Sequence, residues 1–459
     1  MSGEQMRLRV ATFDGQEATI RVYPTFGRGR PLWQRPFVAC VHGERRKDVK
    51  LVVDPFLPEG TVAISRPVAV QLRLAELPWP NVVQISDQEI RFGPLIGILA
   101  NPRWDKEKGT LRQTSQLEGI RKMIQFADEQ GARCFVFSLS AVDLRQRLIR
   151  GYTLYDGKWF RRTFPMPDVI YDQLVSRKLE RDPSMRDKRS AISREYGDKF
   201  FNDGFFDKWQ VYEWLREDTE LRRHIPQTIR HKSVQEAVAF INRHPITFLK
   251  PLHGSLGLGI IRIVRHRDGS LTYEIKHNAT SVTRGKGNST REVVESFRTR
   301  LKRRPYIWQE GLTLATYQNR PLDIRILMQR DGTGEWKRTK MFARVAKSGE
   351  FTSNLATGGD AMSVDKALAE CFPSAQQRNR AKAQIRRLSK RIVEAMEEAS
   401  GRKFGEMGID LGLDETGKVW VIEVNSKPRK APSTKSGRQD LVDLSFERPI
   451  SYAIYLAKR

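Results

Sequence analysis

The stretch Phe248-Leu249-Lys250-Pro251-Leu252-His253-Gly254-Ser255-Leu256-Gly257-Leu258-Gly259-Ile260-Ile261 carries an apolar strand into a lysine, a glycine-rich turn and a second strand. Glycine has no Cβ, so the backbone N–H groups of such a turn can approach a polyphosphate closely. Lys250 adds a fixed positive charge for phosphate oxygens. The segment is not a P-loop, because no Gly-Lys-Ser/Thr follows and a strand rather than a helix continues. Taken alone, a hairpin with a flexible glycine turn is the commoner meaning of this pattern.

A second signal lies toward the C-terminus. Gly408-Ile409-Asp410-Leu411 reads as a strand, Asp414-Glu415-Thr416-Gly417 as a turn, and Val419-Trp420-Val421-Ile422-Glu423-Val424-Asn425 as the returning strand. The two-residue period of a strand puts Glu423 and Asn425 on one face. Side-by-side pairing brings Asp410 near them. Two carboxylates and an amide oxygen form a hard oxygen set suited to magnesium with nucleotide phosphates. A hairpin with polar residues on its solvent face is the bland alternative, although Val421, Ile422 and Val424 argue for burial on one side.

Between these signals lie the apolar strand Tyr306-Ile307-Trp308-Gln309-Glu310, the run Asp323-Ile324-Arg325, Arg344, and the stretch 351–359. Each is weak alone, and a surface salt bridge is the commoner meaning of a pair such as Asp323 and Arg325. Together, the ordered set Lys-Pro, Gly-Ser-x-Gly-x-Gly-Ile, Gln-Glu, Asp-Ile-Arg, Arg, Ser-Asn-Leu, Gly-Gly, Asp and Glu-Val-Asn resembles an ATP-grasp ligase over about residues 200 to 430. The branch it resembles is that of glutathione synthetase and the ribosomal-protein glutamate ligases. The whole chain is more particularly similar to the YheC/YheD group of bacterial ATP-grasp proteins, named for association with the spore coat.

The resemblance implies ATP and magnesium, or manganese in its place, as cofactors. It implies that Lys208 and Lys250 hold ATP phosphates and that the loop Gly254, Ser255, Gly257, Gly259 closes over them. Gln309, Glu310 and Leu312 would line the adenine pocket. Asp410, Glu423 and Asn425 would hold the metal, Arg325 and Arg344 would face the reacting groups, and Asn354 would help orient them. The implied reaction passes the γ-phosphoryl group to an unidentified carboxylate donor, and an amine or similar acceptor then displaces phosphate. Two anions must meet in that step, so a divalent cation and arginines are needed to offset their repulsion. A catalytically idle ATP-grasp protein serving the spore coat as a scaffold is the alternative.

One departure stands out. Relatives often follow Glu-x-Asn with a small residue, another residue, then Pro-Gly, whereas this chain runs Ser426-Lys427-Pro428-Arg429-Lys430. These cations beside the acceptor loop lead to the expectation of one strongly anionic substrate. Side chains pointing to solvent would explain them equally well.

The rest of the chain frames these signals. At 459 residues it exceeds one ordinary core. Three organisational units are expected: a β-rich 1–90, an open α/β unit 91–195, and an ATP-grasp unit 196–459. The fold class is thus mixed α/β (α+β). The first unit interleaves polar and apolar residues at 8–12 and 18–23 and is punctuated by prolines. In the second, a buried strand at 95–100, a helix carrying Leu117, Ile120, Ile124 and Ala127 on one face, and a strand at 134–137 make a βαβ pattern. Residues 176–194 are expected as a charged surface connection, 206–215 as a helix, and 378–396 as a helix with an exposed basic face.

Cys40, Cys134 and Cys371 are widely spaced, so neither a zinc site nor a disulfide framework is signalled. No signal segment and no membrane span are evident, and a cytoplasmic location is expected, with spore-coat association implied by the resemblance. The formal net charge of +27 fits an anionic partner or a solvated basic surface. Charge is the one feature that suggests nucleic acid, since no zinc-finger spacing or RNA-recognition aromatic motif accompanies it.

Overall fold

The computed structural model describes residues 4–26, 29, 35–74, 81–87, 89–254, 257–278, 281–348, 359–433 and 437–459, without the side chains of residues 4, 5, 7, 81 and 82. Four large sheets follow one another along the described residues, with a two-stranded ribbon of Trp104–Asp105 and Thr110–Leu111 beside the second. Seven strands between Glu4–Phe13 and Glu89–Phe92 close into a barrel. Alternating Ile20, Val22, Val38 and Cys40 fill its interior, which is why these short strands close on themselves.

The second sheet has parallel Leu95–Leu99 at its centre, flanked by Arg133–Asp143 and Val169–Asp172. The helix Ser115–Glu129 covers one face through Leu117, Ile120, Ile124 and Ala127. Thr114 caps its start by accepting the Leu117 N–H. The C-terminal helix Gln439–Ala457 packs on this same layer, although the third and fourth sheets separate the two in sequence. Phe446 lies so close to the first helix that a Cβ on Gly119 would sit 2.5 Å from its ring, so only glycine admits the crossing.

The third sheet is antiparallel, in the order Thr228–Arg230, Tyr306–Glu310, Ile246–Pro251, Ile261–Arg265, Leu271–Lys276, Val282–Gly287. The fourth, also antiparallel, runs Asp360–Met362, Trp336–Val345, Arg320–Arg330, Glu406–Leu413, Val419–Asn425. The helix Ala375–Ser400 lies on it and buries Ile385, Leu388, Ile392 and Met396. This helix is longer than its apolar stripe suggested, because Ser374 caps it and Gly401, at φ +64°, ends it.

Residues 176–194 are not a plain surface connection. They form helices Arg177–Glu180 and Pro183–Tyr196, which start at Ser176 and Asp182 caps. The sparse apolar pattern misled because a single residue, Ile192, is buried in the longer helix while Arg189 is held by Asp172 and Asp203.

Asn202 joins the second sheet to the fourth. It is wholly buried and sits at φ +59°. Its Oδ1 accepts from the N–H of Gly405 (2.8 Å) and Glu406 (3.1 Å). Its Nδ2 donates to the carbonyls of Glu406 (2.8 Å) and Ser426 (2.5 Å). All four bonds are to backbone, so Asn202→Ala strands four buried polar groups. We expect a loss of about 3 kcal/mol or more in denaturant unfolding. A loss of less than about 0.5 kcal/mol, the range of ordinary surface changes, contradicts this role.

Candidate functional site

The third and fourth sheets face one another across a cleft of about 650 Å³. Strand alternation decides what enters it. In Ile246–Pro251 the residues Thr247, Leu249 and Pro251 are buried, leaving Ile246, Phe248 and Lys250 to face the cleft. The neighbouring strand offers Ile307 and Gln309 by the same rule. Across the cleft, Val419–Asn425 contributes Ile422, Glu423 and Asn425. One end is apolar, with Ile225, Pro226, Ile246, Leu312 and Ile422, and the other is charged.

Lys208 begins the helix Lys208–Glu217, capped by Asp207, and its ammonium donates to Glu423 Oε1 (2.8 Å) and to the Gly254 carbonyl (3.2 Å). Lys250 donates to Gln309 Oε1 (2.5 Å), and Gln309 is itself fixed by donating to Thr228 Oγ1 (3.0 Å). Burial, with Lys208 nearby, pushes the Lys250 ammonium down to about 8. Glu310 is anchored to the backbone of Gln227, its Oε2 accepting at 3.1 Å. Gly254 and Gly257 line the cleft. Gly259 lies behind it at φ +73°, where a Cβ would meet the Arg304 guanidinium at 2.5 Å. Ser255 and Asn354 fall outside the described residues.

Asp410 pairs across the strands with Glu423, and Asn425 lies further along the same strand, opposite Gly408. The Asp410 carboxylate is already engaged. Arg325 donates to its Oδ1 (2.5 Å) and Arg344 lies 3.0 Å from its Oδ2. Arg344 also forms two bonds to Asp323, at 2.6 and 2.7 Å. Asp323 and Arg325 therefore do not pair with each other on the surface, because adjacent strands offer each a buried partner. Burial alone would raise the Asp410 carboxyl, but Arg325 and Arg344 outweigh it and hold it below the usual carboxylate range. Arg344 faces the cleft, whereas Arg325 stands behind Asp410.

Among the described residues, no three His, Cys, Asp or Glu side chains gather to hold a metal. Magnesium brought by a nucleotide needs one or two carboxylates, with phosphates and water completing its shell. Asp410, Glu423 and Asn425 fit that arrangement and do not fit a metal held by protein alone.

The basic run after Asn425 is a correction. The Lys427 side chain is wholly buried and lies 2.8 Å from Asp172 Oδ2. The Lys430 side chain is 5% exposed and lies 2.7 Å from Glu406 Oε2. Tyr171 donates to the other Glu406 oxygen at 2.5 Å. These two cations are spent inside the fold and do not face a substrate, while Arg429 is exposed. The sequence hid this because the acids that hold them lie far away along the chain. Sequence reasoning also missed Arg177, which enters the cleft from the second sheet. Its one signal is its place just beyond the apolar strand Val169–Asp172.

The model of the YheC/D-like ATP-grasp family matches residues 197–456. The chain belongs to this family. It is 26% identical over 404 residues to endospore coat-associated protein YheD of Bacillus subtilis (strain 168), covering 87% of each chain. It is 26% identical over 301 residues to YheC of the same organism, covering 65% of this chain and 78% of YheC. Among solved structures, VanG D-Ala:D-Ser ligase from Enterococcus faecalis is 11% identical, with a TM-score of 0.46, covering 80% of this chain and 99% of that one. In this ATP-grasp protein no helix among the described residues is long and apolar enough to cross a membrane.

Asp172→Asn would leave the Lys427 ammonium buried with only Glu180, 3.9 Å away, as a charge partner, so a loss of about 3 kcal/mol is expected. Burial raises the Asp172 carboxyl, but Lys427 and Arg189 outweigh it and hold it low. A depressed carboxyl stabilises the fold above its unfolded pKa of about 3.9, and that contribution is lost as pH falls through the folded value. The variant should therefore be less stable at neutral pH and lack part of the acid limb of the wild-type stability curve. Equal stability of the two proteins at pH 7 would return Lys427 to a substrate role.

Proposed function

We propose that the protein is an ADP-forming, magnesium-dependent ATP-grasp ligase that activates a carboxylate as an acyl phosphate for attack by an amine or similar nucleophile. The observation that carries this reading is the convergence of Lys208 from its helix with Lys250, Glu423 and Asn425 from the two sheets, at one end of a cleft whose other end is apolar.

The adenine ring occupies the apolar end beside Ile225, Leu312 and Ile422, with Glu310 and its backbone at the rim. Lys250 and Lys208 bind the phosphates, with the backbone of Gly254 and Gly257 beside them. Glu423 and Asn425, with Asp410, would hold magnesium, which when bound neutralises phosphate charge. Arg344 stabilises the charge that develops as the γ-phosphoryl group moves to a carboxylate oxygen and ADP departs. The amine then attacks the acyl carbon, phosphate leaves, and the nitrogen gives up its proton. The donor and acceptor belong to the same proposal, as does a location with the spore coat suggested by the names of YheD and YheC.

A second reading, an idle scaffold, is favoured by one observation: both Asp410 oxygens are occupied by arginines. ADP release against a panel of amino acids and peptides decides between the two. The ligase reading expects millimolar MgATP to raise the melting temperature, by mass action on the native state. It expects Glu423→Gln to keep the circular dichroism spectrum while ADP release falls by about a hundredfold or more, as for a lost transition-state contact. The absence of any thermal shift with MgATP rejects it.

Lys250 adds a pH signature. Its ammonium binds phosphate only when protonated, so nucleotide affinity should fall as pH rises through about 8. Bound phosphate pulls the ammonium back up, which bounds the loss at about tenfold per pH unit. Lys250→Arg keeps its charge throughout and should flatten the profile. Wild-type affinity that is constant from pH 7 to 9 contradicts the assignment of Lys250 to the phosphates.

A further inference from the structure

Among the described residues, Arg177 is the one side chain between the strands of the second sheet that lines the cleft. It begins the short helix Arg177–Glu180 after Val169–Asp172, ahead of the segment matched by the family model. Its Nη2 donates to the Phe206 carbonyl (3.0 Å), and its guanidinium lies over the Phe205 ring at 4.3 Å. A carbonyl and an aromatic face thus aim it without neutralising it. Among the described residues no carboxylate lies within 4.0 Å of its nitrogens, and Nε and Nη1 have no protein acceptor.

The surroundings add to this. Arg181, Lys208 and His253 all act electrostatically on the same region. The His253 Nδ1 is buried with no hydrogen-bond partner. The nearest acids are already used: Asp207 caps the helix after it, Glu423 holds Lys208, and Glu180 accepts the Phe205 N–H. Lys427, which shares the Phe205 ring, is neutralised by Asp172. Arg177 is therefore left half-buried with no carboxylate in contact, Glu180, Glu423 and Asp207 acting on it only from a distance, and burial still outweighs them.

Topology gives the same location. Leu95–Leu99 lies between two parallel neighbours, and the chain reaches one on each side. The carboxyl ends of Leu95–Leu99 and Val169–Asp172 therefore meet where the strand order reverses. Open α/β sheets bind ligands in the crevice outside such ends. Arg177 stands at that crevice and opens into the cleft described above.

We infer that Arg177 is a recognition residue for the carboxylate of the substrate that shares the cleft with the nucleotide. The inference rests on the ligase reading and adds to it the residue that recognises the carboxylate substrate. A planar guanidinium offers parallel N–H donors to a planar carboxylate, whereas the lysines at the far side of the same end act as point charges for phosphate. Specificity for the acid thus comes from the second sheet, and nucleotide binding from the third and fourth.

Arginine footprinting tests it on the full-length protein. Phenylglyoxal modifies accessible guanidiniums, and peptide mass spectrometry reads the rate at Arg177. Arg177 should react in the free protein and react equally fast with MgAMP-PNP alone. With MgAMP-PNP present, at least one of succinate, glutamate, glycylglycine and poly-L-glutamate should slow the reaction about tenfold at about ten times its dissociation constant. Protection by MgAMP-PNP alone would assign Arg177 to the nucleotide phosphates and overturn the inference. So would a failure of all four carboxylates to protect it, or an unreactive Arg177. The thermal shift with MgAMP-PNP is read separately, so loss of the ligase reading is distinguishable from loss of this one. In Arg177→Gln the nucleotide shift should persist, and any carboxylate-induced shift should vanish.

Discussion

The wholly buried ion pair between Asp172 and Lys427 is the constraint on which the rest depends. Asp172 ends a strand of the second sheet, and Lys427 lies two residues beyond the strand that carries Glu423 and Asn425. Breaking the pair is costly at low dielectric, even with Arg189 beside Asp172 and Glu180 3.9 Å from Lys427. Their pairing therefore sets where one sheet ends relative to the next. The adjacent Tyr171–Glu406–Lys430 set and the four backbone bonds of Asn202 repeat the constraint at neighbouring points. A strand held at its end by these contacts presents Glu423 and Asn425 with little freedom, and preorganisation of this kind is what a charged site requires.

The cleft shows a consistent division of charge. The third sheet brings lysine and glycine, and the fourth brings carboxylates and arginine. Lys208 bridges them by donating to Glu423 and to Gly254 at once. The Lys208–Glu423 ion pair thus offsets part of the repulsion at the polar end. Much of the +27 charge lies elsewhere, on exposed positions such as Arg298, Lys302 and Arg303.

Local features were legible in the sequence, and distant pairing was not. The Lys250 turn, the Tyr306–Glu310 strand and the Asp410–Glu423 hairpin followed from alternation and turn residues. Eleven of the fifteen site residues expected from the resemblance line the cleft: Lys208, Lys250, Gly254, Gly257, Gln309, Glu310, Leu312, Arg344, Asp410, Glu423 and Asn425. What alternation cannot carry is the identity of a buried partner far away along the chain. Lys427 read as a solvent or substrate cation because Asp172 is distant in sequence. Arg177 read as part of a surface segment because nothing local says that a second sheet abuts the cleft. Asp323 and Arg325, two apart in sequence, read as a surface pair, yet the neighbouring strands give them Arg344 and Asp410 as partners.

The central claim is that the cleft between the third and fourth sheets binds a magnesium nucleotide with its phosphates at the Lys250 end. A crystal structure of the protein with MgAMP-PNP measures this most directly. The account predicts adenine against Ile225 and Ile422, phosphate oxygens within hydrogen-bond distance of the Lys208 and Lys250 ammonium groups, and the metal on Glu423 and Asn425. Nucleotide bound elsewhere, or a cleft left empty at saturating nucleotide, would contradict it.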